Sequence, residues 1–376
     1  MKRELWCGVT SISVCAGAFA QAPAGPGTRC DVPSINPPPG CALPVFDPAS
    51  WSTFTPRNGP TFQIIIDDPF NQLTAFAPAI QSNLGAACAR WAQVIDAPAG
   101  PVVITILVRV DNANPRASGH SEASAYVGTF DGVNTYELGA AYEARTGIDP
   151  NGAMQDAIIT LNTAYTSSEL WFDPNPAART APVPSNRTDA VSVFLHELGH
   201  VFMFNGWRDG LNGQLPSNYQ SPFDRFSGFD GDFWFSGSTS QGLYGGGVPL
   251  TFGSAKHLGN QPPRPGSDLI PDLMNGVALY RGQRYDISTL DLAVGLDCGV
   301  TVVGGGSGGC DTVDFNNDGL FPDTADIDDF LSVFSGGVCS NDPNCNDIDF
   351  NNDTLFPDTL DIDALLSVFS GGACLE

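Results

Sequence analysis

The segment His196-Glu197-Leu198-Gly199-His200 is the most informative part of this chain, because it predicts both a helix and a metal site. On an α-helix, residues four apart lie on one face, so His196 and His200 can reach one metal ion while Glu197 sits beside it. Two imidazoles suit zinc, and a neighbouring carboxylate can take a proton from an attacking water. The motif therefore predicts a Zn²⁺ site for peptide-bond hydrolysis with Glu197 as the general base.

The residues around the motif predict the helix that carries it. Thr188 or Asp189 is suited to the N-cap position, and Asn205-Gly206 is a strong signal for the end of the helix. Between them, apolar residues recur with helical spacing: Val191, Phe194, Leu195 and Leu198. One side of this helix should be buried while another side presents the two histidines.

A catalytic zinc usually has three protein ligands and a water, so a third ligand must come from elsewhere. The next glutamate after the motif is the distant Glu376, which excludes a glutamate on a following helix. The compact pattern with a nearby glycine and third histidine fails, because Met203 and Gly206 occupy those places. His120 and His257 remain, and the polar surroundings of His120 favour a loop residue over a ligand.

The order of features after the helix resembles the metzincin zinc peptidases, most closely the leishmanolysin-like branch with its insertion before the third ligand. Those features are a late His257, the Leu273-Met274 pair and the apolar run 287–296, and the resemblance covers roughly residues 61–300. It implies a zinc metallopeptidase with the following residues at its site: His196, His200 and His257 as zinc ligands, Glu197 as general base, and Met274 in a hydrophobic turn beneath the metal.

The segment 61–300 predicts an α/β (α+β) zincin-like domain with a mixed, mostly parallel sheet. Buried-strand patterns occur at 62–67, 101–110 and 157–162, and 73–95 reads as a helix broken or kinked near Pro78. By the resemblance, the strand at 157–162 would line the cleft and pair with extended substrate. The Gly- and aromatic-rich segment 208–253 predicts an ordered surface insertion near the cleft.

Two tyrosines follow the Leu-Met pair closely. Tyr280 and Tyr285 are candidates to donate a hydrogen bond to the developing oxyanion, and packing roles for them are equally compatible with the sequence.

The N-terminal segment predicts export. Lys2 and Arg3 precede an apolar run, and Ala18-Phe19-Ala20 offers small residues for a signal peptidase, so 1–20 reads as a signal peptide and 21–60 as a Pro/Gly-rich lead-in. No later segment approaches eighteen uninterrupted apolar residues. We expect a secreted or cell-surface protein with no membrane span after signal removal.

Eight cysteines follow the predicted signal, an even number that suits disulfides in an oxidising compartment. The economical pairings are Cys30 with Cys41 and Cys88 with Cys298. A rival role for Cys30 is open, because Arg29-Cys30-Asp31-Val32-Pro33 resembles the latency sequence of matrix metalloproteinases. Ten residues between the predicted cleavage site and Cys30 are too few for a folded prodomain, which favours the disulfide.

A Gly-rich linker at 301–309 leads to a duplicated segment. Residues 314–324 return 35 positions later as 349–359. Each copy is followed by apolar residues with helical spacing: Ile327, Phe330, Leu331 and Phe334 in the first copy, and Ile362, Leu365, Leu366 and Phe369 in the second.

The repeats carry oxygen side chains at loop positions one, three and five, as a Ca²⁺ loop requires, and a carboxylate at position thirteen. The expected calcium ligands are Asp314, Asn316, Asp318 and Asp326 in the first repeat, and Asp349, Asn351, Asp353 and Asp361 in the second. This arrangement resembles dockerin modules of a Cys-bracketed variety found in secreted planctomycete-type proteins, and covers 310–376.

The dockerin resemblance implies a small all-α domain that docks to a cohesin-like or cell-surface anchoring partner. Bridges Cys310–Cys339 and Cys345–Cys374 would close the two repeats, and the rival pairing of Cys339 with Cys345 stays open.

The charge excludes some partners. The net charge is −25, and 15 of the 41 carboxylates lie from Asp311 onward, where there is no Lys or Arg. Such a surface repels nucleic acid and anionic membranes, and calcium would relieve its self-repulsion.

The expected partner at the zinc site is a protein or peptide substrate. The alternative is a non-catalytic surface or adhesion protein that uses the zincin fold to bind proteins.

Overall fold

The computed structural model describes residues 32–37, 59–97, 100–261, 264–302, 311, 313–316, 324–341, 345–346, 348, 350 and 359–369. Its helices are α1 Ala77–Val94, α2 Gly139–Thr146, α3 Thr163–Ser168, α4 Ala190–Phe202, α5 Pro222–Phe226, α6 Ser238–Tyr244, α7 Thr289–Asp297, α8 Thr324–Phe334 and α9 Thr359–Phe369. Its strands are β1 Ser34–Ile35, β2 Thr61–Asp67, β3 Val103–Val110, β4 Ala117–Ser121, β5 Ser124–Phe130, β6 Val133–Leu138, β7 Ala157–Leu161, β8 Leu170–Trp171, β9 Thr188–Asp189, β10 Tyr219–Gln220, β11 Ser227–Phe229, β12 Phe233–Phe235, β13 Val248–Leu250 and β14 Leu279–Tyr280.

The largest sheet has the strand order β2-β3-β7-β4, and it confirms the prediction of a mixed α/β fold with a mostly parallel sheet. β2, β3 and β7 run parallel, whereas β4 is antiparallel to β7. The expectation that the strand at 157–162 forms the free edge beside the cleft is wrong. β7 lies inside the sheet, because β3 and β4 both hydrogen-bond to it, and the terminal strand on this side is β4.

The core lies between this sheet and two helices. On β3, Ile104, Ile106 and Val108 are fully buried and face the helices. Trp91 of α1 donates its indole N–H to the carbonyl of Leu195 in α4 at 3.0 Å, and this bond fixes the two helices against each other. The prediction of a helix buried on one side is only partly right, because every residue of α4 from Ala190 to Phe202 is buried.

Two local predictions need correction. α1 is not broken at Pro78, because the helix begins at Ala77 and the proline occupies the first turn, where no intrahelical N–H is required. β2 is not buried on both faces: it forms an edge of the sheet, and Ile65 is 42% exposed. A run of three isoleucines predicts a strand, but it does not show whether that strand lies at the edge or in the middle of the sheet.

The insertion 208–253 is folded around its own aromatic cluster. β11, β12 and β13 form an antiparallel sheet, and Phe223, Phe233 and Phe235 are buried beside it. The rings of Phe223 and Phe235 lie 5.0 Å apart. Strands of three residues are too short to show the alternation of buried and exposed side chains that identifies a strand. The sequence therefore predicted an ordered segment here but none of its individual strands.

The C-terminal repeats contain the two predicted helices, α8 and α9. Phe315 and Phe350, at equivalent places in the two repeats, are fully buried against Phe330 of α8. The ring distances to Phe330 are 5.2 Å and 6.2 Å. The two repeats thus share one small core, and no strand is present in the part of the repeats that the structure describes.

The rival pairing of Cys339 with Cys345 is confirmed, whereas the bridges Cys310–Cys339 and Cys345–Cys374 are wrong. Cys339 and Cys345 form a disulfide, with Cα atoms 6.5 Å apart, so neither sulfur is available for the bridges to Cys310 and Cys374. The fold brings the end of the first repeat back beside the start of the second, which favours this short loop. Cys88 and Cys298 are buried free thiols rather than partners of each other, and burial raises the pKa of both.

Several predictions fall on residues that are not described. They concern the signal peptide 1–20, Cys30 and Cys41, and most of the segments 21–60 and 301–309. Within the described residues, no helix has the length and apolar character needed to cross a membrane.

Candidate metal centre

Buried polar contacts fix the first turn of α4. The carboxylate of Asp189 accepts hydrogen bonds from the backbone N–H and the hydroxyl of Ser192, at 3.1 and 2.7 Å. Arg179 pairs with Asp189 at 2.9 Å and with Asp286 at 3.0 Å, which ties the helix start to the segment before α7. Of the two predicted N-caps, Thr188 and Asp189, the structure uses Asp189.

α4 ends at Phe202, three residues before the predicted Asn205-Gly206. The N–H of Phe204 donates back to the carbonyl of Gly199 at 2.9 Å, which turns the chain sharply. The same turn brings the Phe204 carbonyl to the Nδ1 atom of His200, 2.6 Å away. The early end of the helix therefore orients one of the two motif histidines.

The structure brings the three predicted ligands His196, His200 and His257 together. Their Nε2 atoms form a nearly equilateral triangle with sides of 3.2, 3.0 and 3.1 Å. All three side chains are buried, with at most 1% exposure. His257 lies 57 residues beyond the motif helix, so only the tertiary fold creates this cluster.

Hydrogen bonds on the far side of each ring define the tautomers. The Nδ1 atoms of His196 and His257 face the carbonyls of Leu273 (2.7 Å) and Ser254 (3.2 Å), as that of His200 faces Phe204. A carbonyl only accepts, so the Nδ1 atoms of His196 and His200 carry the hydrogen, and their Nε2 atoms present a lone pair when the rings are neutral. The Nδ1 of His257 also lies 2.9 Å from the Ser254 hydroxyl, which can donate or accept, and the Ser254 carbonyl favours the same tautomer. Burial lowers the pKa of His196 to about 4, so this ring is neutral at pH 7.

Three converging lone pairs repel one another unless a cation lies among them. Burial, and then the other imidazoles, hold the pKa of His200 and His257 well below the usual range, so protons do not supply the positive charge. Tetrahedral zinc with Zn–N bonds of about 2.0–2.1 Å holds its nitrogens roughly 3.3 Å apart, close to the distances here. The residues present therefore fit a zinc ion with three imidazole ligands.

Met274 lies against the motif helix, as expected for the predicted turn. A methyl group at Gly199 would meet the Met274 sulfur, so the motif glycine allows the turn to approach α4 closely. The carbonyl of Leu273 accepts from His196, and the Met274 carbonyl accepts from the N–H of Leu258 at 2.8 Å. The turn thus connects the motif helix to the segment that carries His257.

Glu197 is fully buried on the same helix, between the two histidines in sequence. β4 passes directly over it: a Cβ at Gly119 would lie 2.8 and 2.9 Å from the carbonyl carbon and Cβ of Glu197. Only glycine permits this approach of strand and helix. β4 therefore determines the space around the proposed base.

His120 is not part of the metal cluster, in agreement with the prediction. It lies on strand β4 rather than in a loop, and its Nε2 is 3.8 Å from the carboxylate of Glu122. Desolvation, and then the positive charges of Arg109 and Lys256, lower the pKa of His120.

The two tyrosines after the turn are buried, which favours the packing roles. Tyr280 and Tyr285 are 5% and 2% exposed, and the Tyr285 hydroxyl accepts from the N–H of Tyr280 at 2.9 Å. That hydroxyl also faces the Ala278 carbonyl at 3.4 Å. The Tyr285 hydroxyl is thus engaged by the backbone of the turn.

A cleft of about 670 Å³ opens beside His257 and carries positive charge. Among the described residues, its lining includes Arg208, Lys256 and Arg264 and no Asp or Glu. Arg264 is ion-paired with Asp232, which lies outside that lining. Burial lowers the pKa of Lys256 to about 8, and the charge of Asp224 opposes that shift. No sequence pattern predicted this cleft, although the only lysine beyond Lys2 directly precedes His257.

The structure tests only part of the predicted calcium loops. Asp314, Asn316, Asp326 and Asp361 are described and buried, and the N–H of Asn316 lies 3.5 Å from the Asp326 carboxylate. The first loop and the start of α8 are thus adjacent, as predicted. The other predicted ligands lie outside the described residues: Asp318, Asp349, Asn351 and Asp353.

Comparisons with known proteins add no family to this geometry. No family model, curated protein or solved structure matches the chain.

Proposed function

We propose that the protein is a secreted zinc-dependent endopeptidase whose C-terminal repeats bind calcium and tether it to a cohesin-like or cell-surface partner. The convergence of three unprotonated Nε2 atoms beside a buried glutamate carries the catalytic part of the proposal. Such a site has no evident structural purpose without a cation, and one cation on three imidazoles leaves a position for a reactant.

His196, His200 and His257 would hold the ion. When bound, zinc supplies a Lewis acid and lowers the pKa of a water to about 7. Glu197 accepts the proton of the attacking water and passes it to the leaving amine, so one carboxylate serves both proton transfers. The carbonyls of Leu273, Phe204 and Ser254 hold the rings in the tautomer that presents Nε2.

The cationic cleft suggests a preference among peptide substrates. Lys256 precedes His257 in the chain, and the same cleft contains Arg208 and Arg264. A volume of about 670 Å³ accommodates a side chain and part of its backbone. We infer that an acidic side chain near the scissile bond occupies this cleft.

The tether part of the proposal rests on the repeat. Leu331 of α8 and Leu366 of α9 occupy equivalent positions, 35 residues apart, and are 44% and 46% exposed. Exposed apolar side chains at equivalent positions are suited to contact another protein, whereas the acidic loops would repel nucleic acid.

Glu197→Gln provides the test of the peptidase. The variant should keep about one zinc per chain, because the imidazoles are unchanged, and lose at least ~100-fold in kcat/KM on a quenched peptide substrate. Glu122→Gln is the matched control, since Glu122 is an acid outside the cluster and should retain full activity. Equal activity of Glu197→Gln and wild type would refute the assigned base, and a zinc-loaded wild type without peptidase activity would favour the non-catalytic binding protein.

A further inference from the structure

A second group of ligand atoms lies in the same domain, apart from the histidines. Glu143 of α2, and Asp149 and Asp156 of the loop that leads into β7, have carboxylate oxygens within 4.8 Å of one another. Asn151 belongs to the same loop, between the two aspartates. The function proposed above uses none of these residues.

The group contains buried oxygens that no described donor satisfies. Glu143 and Asp156 are only 7% and 5% exposed. Glu143 Oε2, Asp156 Oδ1 and Asn151 Oδ1 are each inaccessible to solvent and accept no hydrogen bond from the described residues. Buried acceptors in native proteins are almost always paired, so three such atoms on one helix and loop indicate a missing partner.

The described side chains do not supply that partner as a cation. No described Lys or Arg lies within ion-pair distance of these three carboxylates, and Arg145 on the same helix is paired with Glu137. Burial, and then the charges of Asp156 and Asp149, raise the pKa of Glu143 to about 8. Without a cation, Glu143 therefore keeps a proton at neutral pH and donates it in a hydrogen bond to Asp156.

The atoms suit calcium in type and spacing. Ca²⁺ prefers carboxylate and amide oxygens at 2.3–2.6 Å, so oxygens around one ion are at most about 5 Å apart. The observed limit of 4.8 Å fits that shell. An amide oxygen from Asn151 adds a neutral ligand of the kind that calcium loops use.

We propose that Glu143, Asp149, Asn151 and Asp156 bind one calcium ion that stabilises the peptidase-like domain. The second oxygen of Asp156 accepts from the N–H of Thr105 in β3 at 2.7 Å, and its carbonyl accepts from the N–H of Glu122 after β4 at 2.8 Å. The ion would thus join α2 and the loop to the centre of the main sheet. This site stands independently of the zinc chemistry and of the C-terminal repeats.

Calcium titration of the full chain by calorimetry tests the site, provided that the C-terminal repeats are disabled by Asp314→Ala with Asp349→Ala. The wild type should take up about three ions, two in the repeats and one here, and the double variant should retain one. Adding Asp149→Asn should weaken that remaining site by at least ~10-fold. Asp149 is exposed, so this change does not disturb the core.

Asp131→Asn is the matched control, because Asp131 is also exposed and adopts a left-handed conformation that asparagine tolerates. It should leave calcium uptake unchanged. No uptake by the double variant, or equal uptake with Asp149→Asn and Asp131→Asn, would overturn the site.

Glu143→Gln gives an independent readout through stability. In calcium-free buffer at pH 8 the variant should melt above the wild type, because it removes one of three repelling carboxylates. In millimolar calcium the order should reverse, since only the wild type gains the full binding free energy. A purely structural role for Glu143 would give the same order in both buffers and would overturn the site.

Discussion

Gly119→Ala should separate β4 from the motif helix. The added methyl carbon would meet the carbonyl oxygen of Glu197 and lie 2.8 Å and 2.9 Å from its carbonyl carbon and Cβ. Carbon atoms in contact prefer about 3.5–4.0 Å, so strand and helix must move apart by roughly 0.5–1 Å. α4 is fixed through Trp91 and through its N-terminal network, and β4 is hydrogen-bonded to β7, so neither side yields freely.

Overpacking of this kind costs about 1–3 kcal/mol of unfolding free energy. For a domain of this size that loss corresponds to a Tm lower by roughly 2–10 °C. Displacement of the backbone at the proposed base by up to about 1 Å should also lower kcat/KM by as much as ~100-fold. Zinc content should change little, because the contact falls on Glu197 and not on a ligand ring.

Differential scanning calorimetry and the quenched-peptide assay measure both effects. Gly85→Ala is the control, because a methyl group at Gly85 in α1 meets no atom within 4 Å and should stabilise the helix by about 1 kcal/mol. If Gly119→Ala melts at or above the wild-type temperature, β4 does not approach α4 as closely as these distances indicate. β4 would then not determine the space around Glu197 either.

Two further predictions concern the metal and the cleft. His257→Ala should reduce the zinc content, measured by atomic absorption, to well below one equivalent. His120→Ala should keep its zinc, because His120 lies outside the triangle of Nε2 atoms. Loss of zinc in His120→Ala but not in His257→Ala would exclude the proposed ligand set. Peptides with Glu near the scissile bond should be cleaved about tenfold better than their Gln counterparts, and Lys256→Gln should bring that ratio towards one. A ratio that does not respond to Lys256→Gln or to salt would contradict the substrate preference.

The sequence was most informative where the determinants are local. The N-cap at Asp189, the apolar face of α4 and the two repeat helices depend on residues within one or two turns. The end of α4 was missed, because the bond from the Phe204 N–H to Gly199 and the His200–Phe204 contact stop the helix before the glycine signal at Gly206.

Features made by distant segments were harder to predict. β4 read as a polar loop because Ser118, Gly119 and His120 lack strand propensity, yet pairing with β7 makes it a strand. His257 was placed at the metal through a resemblance alone, and the Nε2 triangle is compatible with that placement. The cationic cleft joins Arg208 to the distant Lys256 and Arg264, so no local pattern contained it. The acidic cluster lies within residues 143–156, but its aspartates occupy a loop whose sequence matches no regular calcium-binding spacing.

The excess of acidic over basic residues leads us to expect different contributions from calcium and zinc. With 41 carboxylates and 16 Lys and Arg, most acids of the chain have no basic partner. One solution is a shared proton: the pKa of Asp291 is raised well above its usual value by burial and then by its neighbour Asp272. Glu143 and Asp156 share a proton in the same way, but one oxygen of each still accepts no hydrogen bond, and Asp149 adds a third carboxylate. A divalent cation can therefore relieve more repulsion there than the single proton does. Calcium should therefore contribute to folding of both the acidic cluster and the repeats, whereas zinc, held by neutral imidazoles on an already rigid helix, should contribute mainly to the chemistry.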